Sequence, residues 1–190
     1  MFITNWFEKT GKNNFEKHIK FFSIMKNLRF LEIGCFEGMA SVWMLKNVLI
    51  DVNSTLDVID TFSGSIEHQK EELKIKTLKD RFLENTVLYH KKMIIHVGHS
   101  HKILRTLEKQ FDFIYIDGSH QASDVIEDAI LAFRILKPNG IMAFDDYKFD
   151  NIGNALQHPK IAIDAFITLF ADKIQIIEKN YQLFIRKNDI

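Results

Sequence analysis

Three carboxylates and a histidine stand where two apolar runs of the sequence end. Asp117 directly follows the run 113–116, with His120 three residues later, and Asp145 and Asp146 follow a second run. If the two runs are neighbouring parallel strands, their ends lie about 5 Å apart and the carboxylates can share one cation. Oxygen ligands suit Mg²⁺, Mn²⁺ or Ca²⁺ rather than zinc. Such an ion lowers the pKa of a bound hydroxyl, and His120 is suited to act as the general base.

A plainer interpretation of these four residues stays open. Asp117 and Asp145 could cap strand ends, while Asp146 lies in solvent and His120 is an ordinary loop residue.

A glycine-rich segment, Leu31-Glu32-Ile33-Gly34-Cys35-Phe36-Glu37-Gly38, follows an earlier apolar run and opens a helical pattern. Gly34 and Gly38 would let a ligand approach the backbone. Their spacing is not the Gly-x-Gly-x-x-Gly of a pyrophosphate site. Glu32 would repel a phosphate and attract the ammonium group of an amino acid. S-adenosylmethionine carries that ammonium group and no phosphate, so it is the ligand that we predict.

Two further positions fit a nucleoside. Asp60 ends the second predicted strand, where an acid can accept hydrogen bonds from ribose hydroxyls. Ser100, in Gly98-His99-Ser100, could line an adenine pocket or be the N-cap of a helix over Lys102 to Glu108. The alternative is that the glycines only form a turn and that Asp60 caps a helix.

Short apolar runs that alternate with helical segments predict an α/β sheet to position these residues. The predicted strands are Phe30–Ile33, Leu56–Ile59, Ile94–Val97, Phe113–Ile116, Ile141–Phe144, Lys173–Glu178 and Tyr181–Arg186. Only Lys179 and Asn180 separate the last two, which must therefore form an antiparallel hairpin. Helices are predicted over Gln121 to Leu136 and over Glu67 to Glu84, where Ile75, Leu78 and Phe82 share an apolar face beneath many charges.

The first 27 residues should add one or two helices over the sheet edge. Their expected anchors are Trp6, Phe7, Phe15, Phe21 and Phe22. We expect a single domain, with this N-terminal segment (1–27) packed on a domain at 28–190.

Composition narrows the classes of partner. The 190 residues are 46% hydrophobic, and 25 basic side chains balance 25 acidic ones. This balance argues against nucleic acid and anionic membranes as partners and favours a small ligand. Cys35 is the single cysteine, which excludes an intrachain disulfide, and we find no apolar run that could span a bilayer. We therefore expect a cytoplasmic protein.

Over about residues 28 to 188 these motifs resemble the class I S-adenosylmethionine-dependent methyltransferases. The resemblance implies a Rossmann-like three-layer α/β/α sandwich with a mostly parallel seven-stranded sheet of order 3-2-1-4-5-7-6. It also implies a cofactor site with the methionine part at the glycine-rich turn, ribose at the acid after strand two and adenine at the loop after strand three. The residues carried over to that site are Glu32, Gly34, Gly38, Asp60 and Ser100. Strands one and four should flank the topological switch point of the sheet, which places Asp117 opposite Glu32 and Gly34 and adds it to the predicted cofactor site.

The second motif is similar to metal-dependent O-methyltransferases of the macrocin type, which act on macrolide sugars. This similarity implies Mg²⁺ on Asp117, Asp145 and Asp146, and His120 as the general base. It predicts O-methylation of a small-molecule hydroxyl, a sugar being one candidate, and leaves self-association into a homo-oligomer open. Related catechol-type enzymes often carry Asn where Asp146 stands, and this chain lacks the additional segments of the longer relatives. The rivals are a non-catalytic S-adenosylmethionine-binding protein and a hydroxylase-like enzyme on the same fold.

Other residues carry weaker signals. His96, His99 and His101 straddle a strand end and would point in different directions, which argues against a metal site. Cys35 has no placed base that could activate it as a nucleophile. The stretch Tyr147-Lys148-Phe149 could line an acceptor pocket or form a surface loop.

Overall fold

The computed structural model describes residues 2–64, 77–149 and 155–189. Its strands are β1 Arg29–Ile33, β2 Thr55–Asp60, β3 Met93–Val97, β4 Phe111–Ile116, β5 Leu136–Phe144, β6 Ile174–Lys179 and β7 Leu183–Lys187. Its α-helices are α1 Trp6–Thr10, α2 Lys12–His18, α3 Met39–Asn47, α4 Leu78–Thr86, α5 Ser100–Ile103, α6 Ala122–Ile135 and α7 Pro159–Leu169. Single 3₁₀ turns occur at Lys20–Ile24, Val87–Lys92, Leu104–Thr106 and Ala155–Gln157.

The strands form one sheet of order β3-β2-β1-β4-β5-β7-β6, as the sequence predicts. Strands β1 to β5 are parallel, and β7 lies antiparallel between β5 and β6. The short connection between β6 and β7 leaves no room for a crossover helix, which forces the hairpin. The parallel strands therefore bring their carboxyl ends to one edge, where ligands bind in open α/β sheets.

Apolar side chains fill the space on both faces of the sheet. Alternate residues of β4 supply the two cores: Phe113 and Tyr115 face one helical layer, while Ile114 and Ile116 face the other. Helix α3 and the N-terminal segment cover the first face, and α6 and α7 cover the second. Among the described residues, no helix combines the length and the apolar character that a bilayer crossing requires.

The N-terminal segment differs from the prediction in two ways. Phe7, Phe15 and Phe22 are buried, but Trp6 and Phe21 are about half exposed, at 51% and 49%, and do not anchor the segment in the core. The ring of Phe15 packs edge-on against Phe113 and Tyr115 of β4 and Phe184 of β7. The segment therefore covers the middle of the sheet face and not its edge, because its aromatic residues bury most area over the central strands.

Two predicted helices have other bounds. The helix expected over Lys102 to Glu108 was wrong, because α5 begins at Ser100 and ends at Ile103, and a 3₁₀ turn follows. Buried Leu104 ties this turn to the core before the chain enters β4, and the backbone becomes extended at Leu107. Of the helix expected over Glu67 to Glu84, residues 67–76 and hence Ile75 lie outside the described residues. The remainder is α4, with Leu78 and Phe82 buried as predicted.

Candidate active site

The structure brings the three carboxylates of Asp117, Asp145 and Asp146 together. Ile116 of β4 lies opposite Phe144 of β5, so Asp117 and Asp145 leave adjacent strands at the same level. Successive residues of a strand point to opposite faces, but Asp146 has a left-handed backbone, with φ +55°, and the chain turns there. One oxygen of each carboxylate lies within 4.8 Å of those of the other two.

Negative charge is concentrated at this cluster. Burial, followed by the charges of Asp145 and Asp146, raises the pKa of Asp117 well above its usual value. Burial and the neighbouring charge of Asp146 raise the pKa of Asp145 to about 6. The cluster therefore favours a bound cation or proton.

Neutral donors around the cluster were missed by the sequence analysis. The Tyr181 hydroxyl donates to Oδ1 of Asp146 at 2.7 Å, and the Gln182 amide donates to Oδ1 of Asp145 at 2.8 Å. The buried Tyr115 hydroxyl lies close to Asp117 and Asp145 and accepts a hydrogen bond from the Gln182 amide at 3.3 Å. The available signal was the pair of polar residues that opens an otherwise apolar last strand.

His120 lies beside the cluster, as predicted. Its Nε2 atom is 2.7 Å from Oδ2 of Asp146, and its ring centroid is 4.5 Å from that of Phe149. Both residues line the same cavity. The histidine is therefore held in place on one side by a carboxylate and on the other by an aromatic ring.

The glycine-rich turn meets the end of β4 directly. Gly34 has φ +81°, and a Cβ atom there would lie 2.1 Å from the carbonyl oxygen of Asp117. At Gly38, with φ +84°, a Cβ atom would lie 2.9 Å from the ring of Phe82. Packing within the protein therefore requires glycine at both positions. The sequence alone does not reveal this requirement. The same packing also places the turn against the backbone of Asp117.

Asp60 holds the same turn. Its Oδ2 atom accepts hydrogen bonds from the backbone N–H groups of Cys35 and Phe36, at 2.8 and 3.0 Å, and Oδ1 accepts from Phe62 at 2.7 Å. The carboxylate is half-buried and lines the cavity. Since a carboxylate offers about four acceptor positions, it can still accept from a ligand hydroxyl.

Glu32 lies beneath the turn and is 1% exposed. The Ser41 hydroxyl donates to its carboxylate. Burial raises the pKa of Glu32 to about 8. Cys35 is also buried, which raises the pKa of its thiol and disfavours the reactive thiolate form.

Ser100 is the first residue of α5 and not its N-cap. Its side chain lies close to Asp128, a buried residue of α6 that the sequence analysis did not single out. Burial raises the pKa of Asp128 to about 7. Both residues line the cavity.

One cavity of about 960 Å³ joins these parts. The predicted site residues that line it are Glu32, Gly34, Asp60, Ser100, Asp117, His120, Asp145 and Asp146. Within the described chain, Gly38 is the predicted site residue that does not line it. Phe149 lines the cavity as the sequence suggested, whereas Tyr147 and Lys148 do not. Trp6 and Lys9 of the N-terminal segment complete one wall.

The three clustered histidines do not converge. His96 Nε2 lies 2.8 Å from Oδ2 of buried Asp57, while the rings of His99 and His101 are 5.6 Å apart. Over the described ranges these histidines form no metal-ligand group.

A family profile described as a methyltransferase domain matches residues 31–147, more than half of the chain. The chain belongs to this methyltransferase family. The match begins in β1, covers the glycine-rich turn and Asp60, and ends just after Asp146, so it includes every site residue that the sequence predicts.

The chain is also similar to an uncharacterized protein of Acanthamoeba polyphaga mimivirus, with 32% identity over 136 residues. The match covers 72% of this chain and 55% of that relative, so the chain spans about half the length of the curated protein that it matches.

Solved structures show the same class I fold. One of them is the O-methyltransferase TomG from Streptomyces achromogenes in complex with SAM, with a TM-score of 0.61 and 17% sequence identity. The match covers 90% of this chain and 80% of the TomG chain. Another is the MycE methyltransferase of mycinamycin biosynthesis in complex with Mg, SAH and mycinamycin VI, with a TM-score of 0.62 and 17% sequence identity. The match covers 99% of this chain and 51% of the MycE chain.

Proposed function

We propose that this protein is an S-adenosylmethionine-dependent O-methyltransferase that methylates a hydroxyl of a small molecule with the help of a divalent metal. The observation that carries the proposal is the meeting of the acidic cluster, His120 and the glycine-rich turn in one cavity. A methyl donor held at the turn and an acceptor held at the cluster would react without leaving that cavity.

The cofactor would lie along the edge formed by β1, β2 and β3. Its ammonium group would lie near Glu32 and Asp117, its methionine chain along Gly34, its ribose at Asp60 and its adenine near Ser100. Because Asp60 fixes the backbone of Cys35 and Phe36, it would also keep the turn in the conformation that receives the cofactor. Gly38 would act indirectly, by letting the turn pack on Phe82.

The acidic cluster fits a hard divalent cation such as Mg²⁺. It offers oxygen ligands alone, from Asp117, Asp145 and Asp146, close enough to reach one ion. Burial, and then the neighbouring negative charges, raise the pKa values of Asp117 and Asp145, and such a cation would favour the charged form of both carboxylates. When bound, the ion would lower the pKa of the acceptor hydroxyl and orient its oxygen.

His120 would act as the general base. Since Nε2 faces the Asp146 carboxylate, the other ring nitrogen, Nδ1, would take the hydroxyl proton as the oxygen bonds to the methyl carbon and the carbon–sulfur bond breaks, which releases S-adenosylhomocysteine. Phe149 packs on the imidazole, and Asp146 would stabilise its charged form.

The charge of the cavity favours a neutral or cationic acceptor over a nucleic acid. Its acidic lining residues are Glu32, Glu37, Asp60, Asp117, Asp124, Glu127, Asp128, Asp145 and Asp146. Lys9 is the only Lys or Arg among the lining residues that the structure describes. A polyanionic substrate would be repelled even if one metal ion were present.

Two experiments test the proposal. The first is calorimetric titration of the protein with S-adenosylhomocysteine, carried out once in Mn²⁺ and once in chelator. The second is an assay for transfer of a labelled methyl group to a panel of hydroxylated small molecules. Asp60→Ala should lose cofactor binding. Asp51→Ala is the matched control, because Asp51 likewise accepts hydrogen bonds from the backbone, from Asn27 and Asn53, but does not line the cavity.

Each outcome assigns one part of the proposal. Failure of the wild type to bind S-adenosylhomocysteine would overturn it. Binding without methyl transfer to any hydroxyl would favour a non-catalytic binding protein or a hydroxylase-like enzyme. Methyl transfer that is insensitive to chelator would retain the O-methyltransferase and remove the metal.

A further inference from the structure

A chain of side-chain amides connects the N-terminal helix α2 to the acidic cluster. Asn14 of α2 is 8% exposed, and its Nδ2 donates to Oε1 of Gln182 at 3.0 Å. The amide nitrogen of Gln182, which is fully buried, donates to Oδ1 of Asp145 at 2.8 Å. Asn14 and Gln182 both lie outside residues 31–147, the part that matches the family profile.

Asn180 fixes the orientation of the first amide. Asn14 donates to Oδ1 of Asn180 at 3.1 Å, and the Asn180 amide donates back to Oδ1 of Asn14 at 3.2 Å. The backbone N–H of Gln182 donates to the same Asn180 oxygen at 3.0 Å. Rotation of the Asn14 amide by 180° would set acceptor against acceptor and donor against donor.

The orientation of Gln182 matters because its amide has two unlike ends. As placed, the NH₂ group faces Asp145 and the hydroxyl of Tyr115, which is 3.3 Å away. If the amide were flipped, its carbonyl oxygen would face the Asp145 carboxylate and add negative potential to a crowded acidic cluster. The hydrogen bond from Asn14 opposes that flip, because only the carbonyl end of Gln182 can accept it.

We propose that Asn14 is a positioning residue for the acidic cluster, acting through Gln182 to hold Oδ1 of Asp145 and leave the other Asp145 oxygen to a divalent cation. The metal part of this inference rests on the proposed function, whereas the amide orientation does not. The N-terminal segment thus takes part in forming the cation site as well as in covering the sheet.

Metal affinity tests the inference, with Mn²⁺ as the probe. Asn14→Leu should weaken Mn²⁺ binding about tenfold, the size of one lost hydrogen bond. Gln182→Leu should weaken it at least as much. Asn13→Leu is the matched control, because Asn13 is the exposed neighbour on the same helix and should bind Mn²⁺ like the wild type. Binding of S-adenosylhomocysteine in chelator should be retained by every variant, which shows that each one folds.

A double-mutant cycle separates positioning from a general loss of packing. In the Gln182→Leu background, Asn14→Leu should cause no further loss of Mn²⁺ affinity, because the residue through which it acts is gone. An equal loss in both backgrounds, or no loss in the single variant, would overturn the inference.

Side-chain amide NMR of the metal-free protein tests the orientation without any ion. The Gln182 NH₂ protons should exchange slowly in the wild type and in Asn13→Leu, and faster in Asn14→Leu. Fast exchange in the wild type would overturn the inference. A third outcome is slow exchange in a wild-type protein that binds the cofactor but not Mn²⁺. This result would remove the metal from the proposed function and overturn the metal part of the inference, so that only the orientation of the amides would stand.

Discussion

The Nε2 atom of His120 lies 2.7 Å from Oδ2 of Asp146, so the proposed general base and a proposed metal ligand share one contact. His120→Ala should lower kcat about 100-fold, because proton transfer loses its acceptor, while the affinity for S-adenosylhomocysteine stays unchanged. Rates of labelled methyl transfer measure the effect. His99→Ala, on the connection after β3 that also lines the cavity, is the control and should retain kcat. A His120→Ala rate near that of the wild type would assign the base elsewhere.

Asp117→Asn should change stability in opposite directions with and without metal. In chelator the variant should melt about 2–4 °C above the wild type at pH 8, because burial beside two other carboxylates disfavours the charged form of Asp117 and Asn has no charged form. With millimolar Mn²⁺ the wild type should gain stability and the variant should not. Differential scanning fluorimetry measures both arms. Equal stabilisation of the two proteins by Mn²⁺ would place the ion elsewhere.

Asp128 should make folding stability depend on pH. Burial raises its pKa from 3.8 to about 7, so its contribution to stability is fully present below pH 3.8 and is lost as the pH rises to about 7. The Asp128→Asn variant has no carboxyl that can lose its proton. Its free energy of unfolding, relative to that of the wild type, should therefore rise by up to about 4 kcal/mol between pH 4 and 7.

Urea unfolding at several pH values measures this difference. Glu127→Gln is the control, since Glu127 is the more exposed neighbour on the same helix. A difference between Asp128→Asn and the wild type that does not vary with pH would show that the Asp128 carboxyl titrates normally.

Trp6 should report ligand binding by its fluorescence. It lines the cavity, is half exposed and stacks on Phe36 of the glycine-rich turn with ring centroids 5.3 Å apart. Trp43, the other tryptophan, is buried in the core. S-adenosylhomocysteine should therefore alter the emission of the wild type and of Trp43→Phe, but not that of Trp6→Phe. A response that persists in Trp6→Phe would show that the ligand does not reach this wall.

The strands could be predicted from the sequence because each is a short apolar run with polar ends. Ile116-Asp117 and Phe144-Asp145 show directly where each apolar strand ends in a polar residue, and the parallel register then places the acids together. The final hairpin follows from the short Lys179-Asn180 connection.

Contacts between distant segments could not be predicted in this way. Asn14 and Gln182 are 168 residues apart, and nothing in their local sequence indicates that they form a hydrogen bond. The half exposure of Trp6 and Phe21 depends on how the N-terminal segment lies on the sheet. The early end of α5 depends on where Leu104 enters the core. Tertiary packing decides all three.

The close approach of Gly34 to the Asp117 carbonyl has a consequence for synthesis on the ribosome. The glycine-rich turn and Asp60 emerge early, but the strand that closes against them begins only at Phe111. A nascent chain that ends after β3 holds the acid that fixes the turn and lacks its opposing wall. Cofactor capture should therefore wait until β4 has left the exit tunnel, and truncated translation products should not compete with the finished protein for the methyl donor.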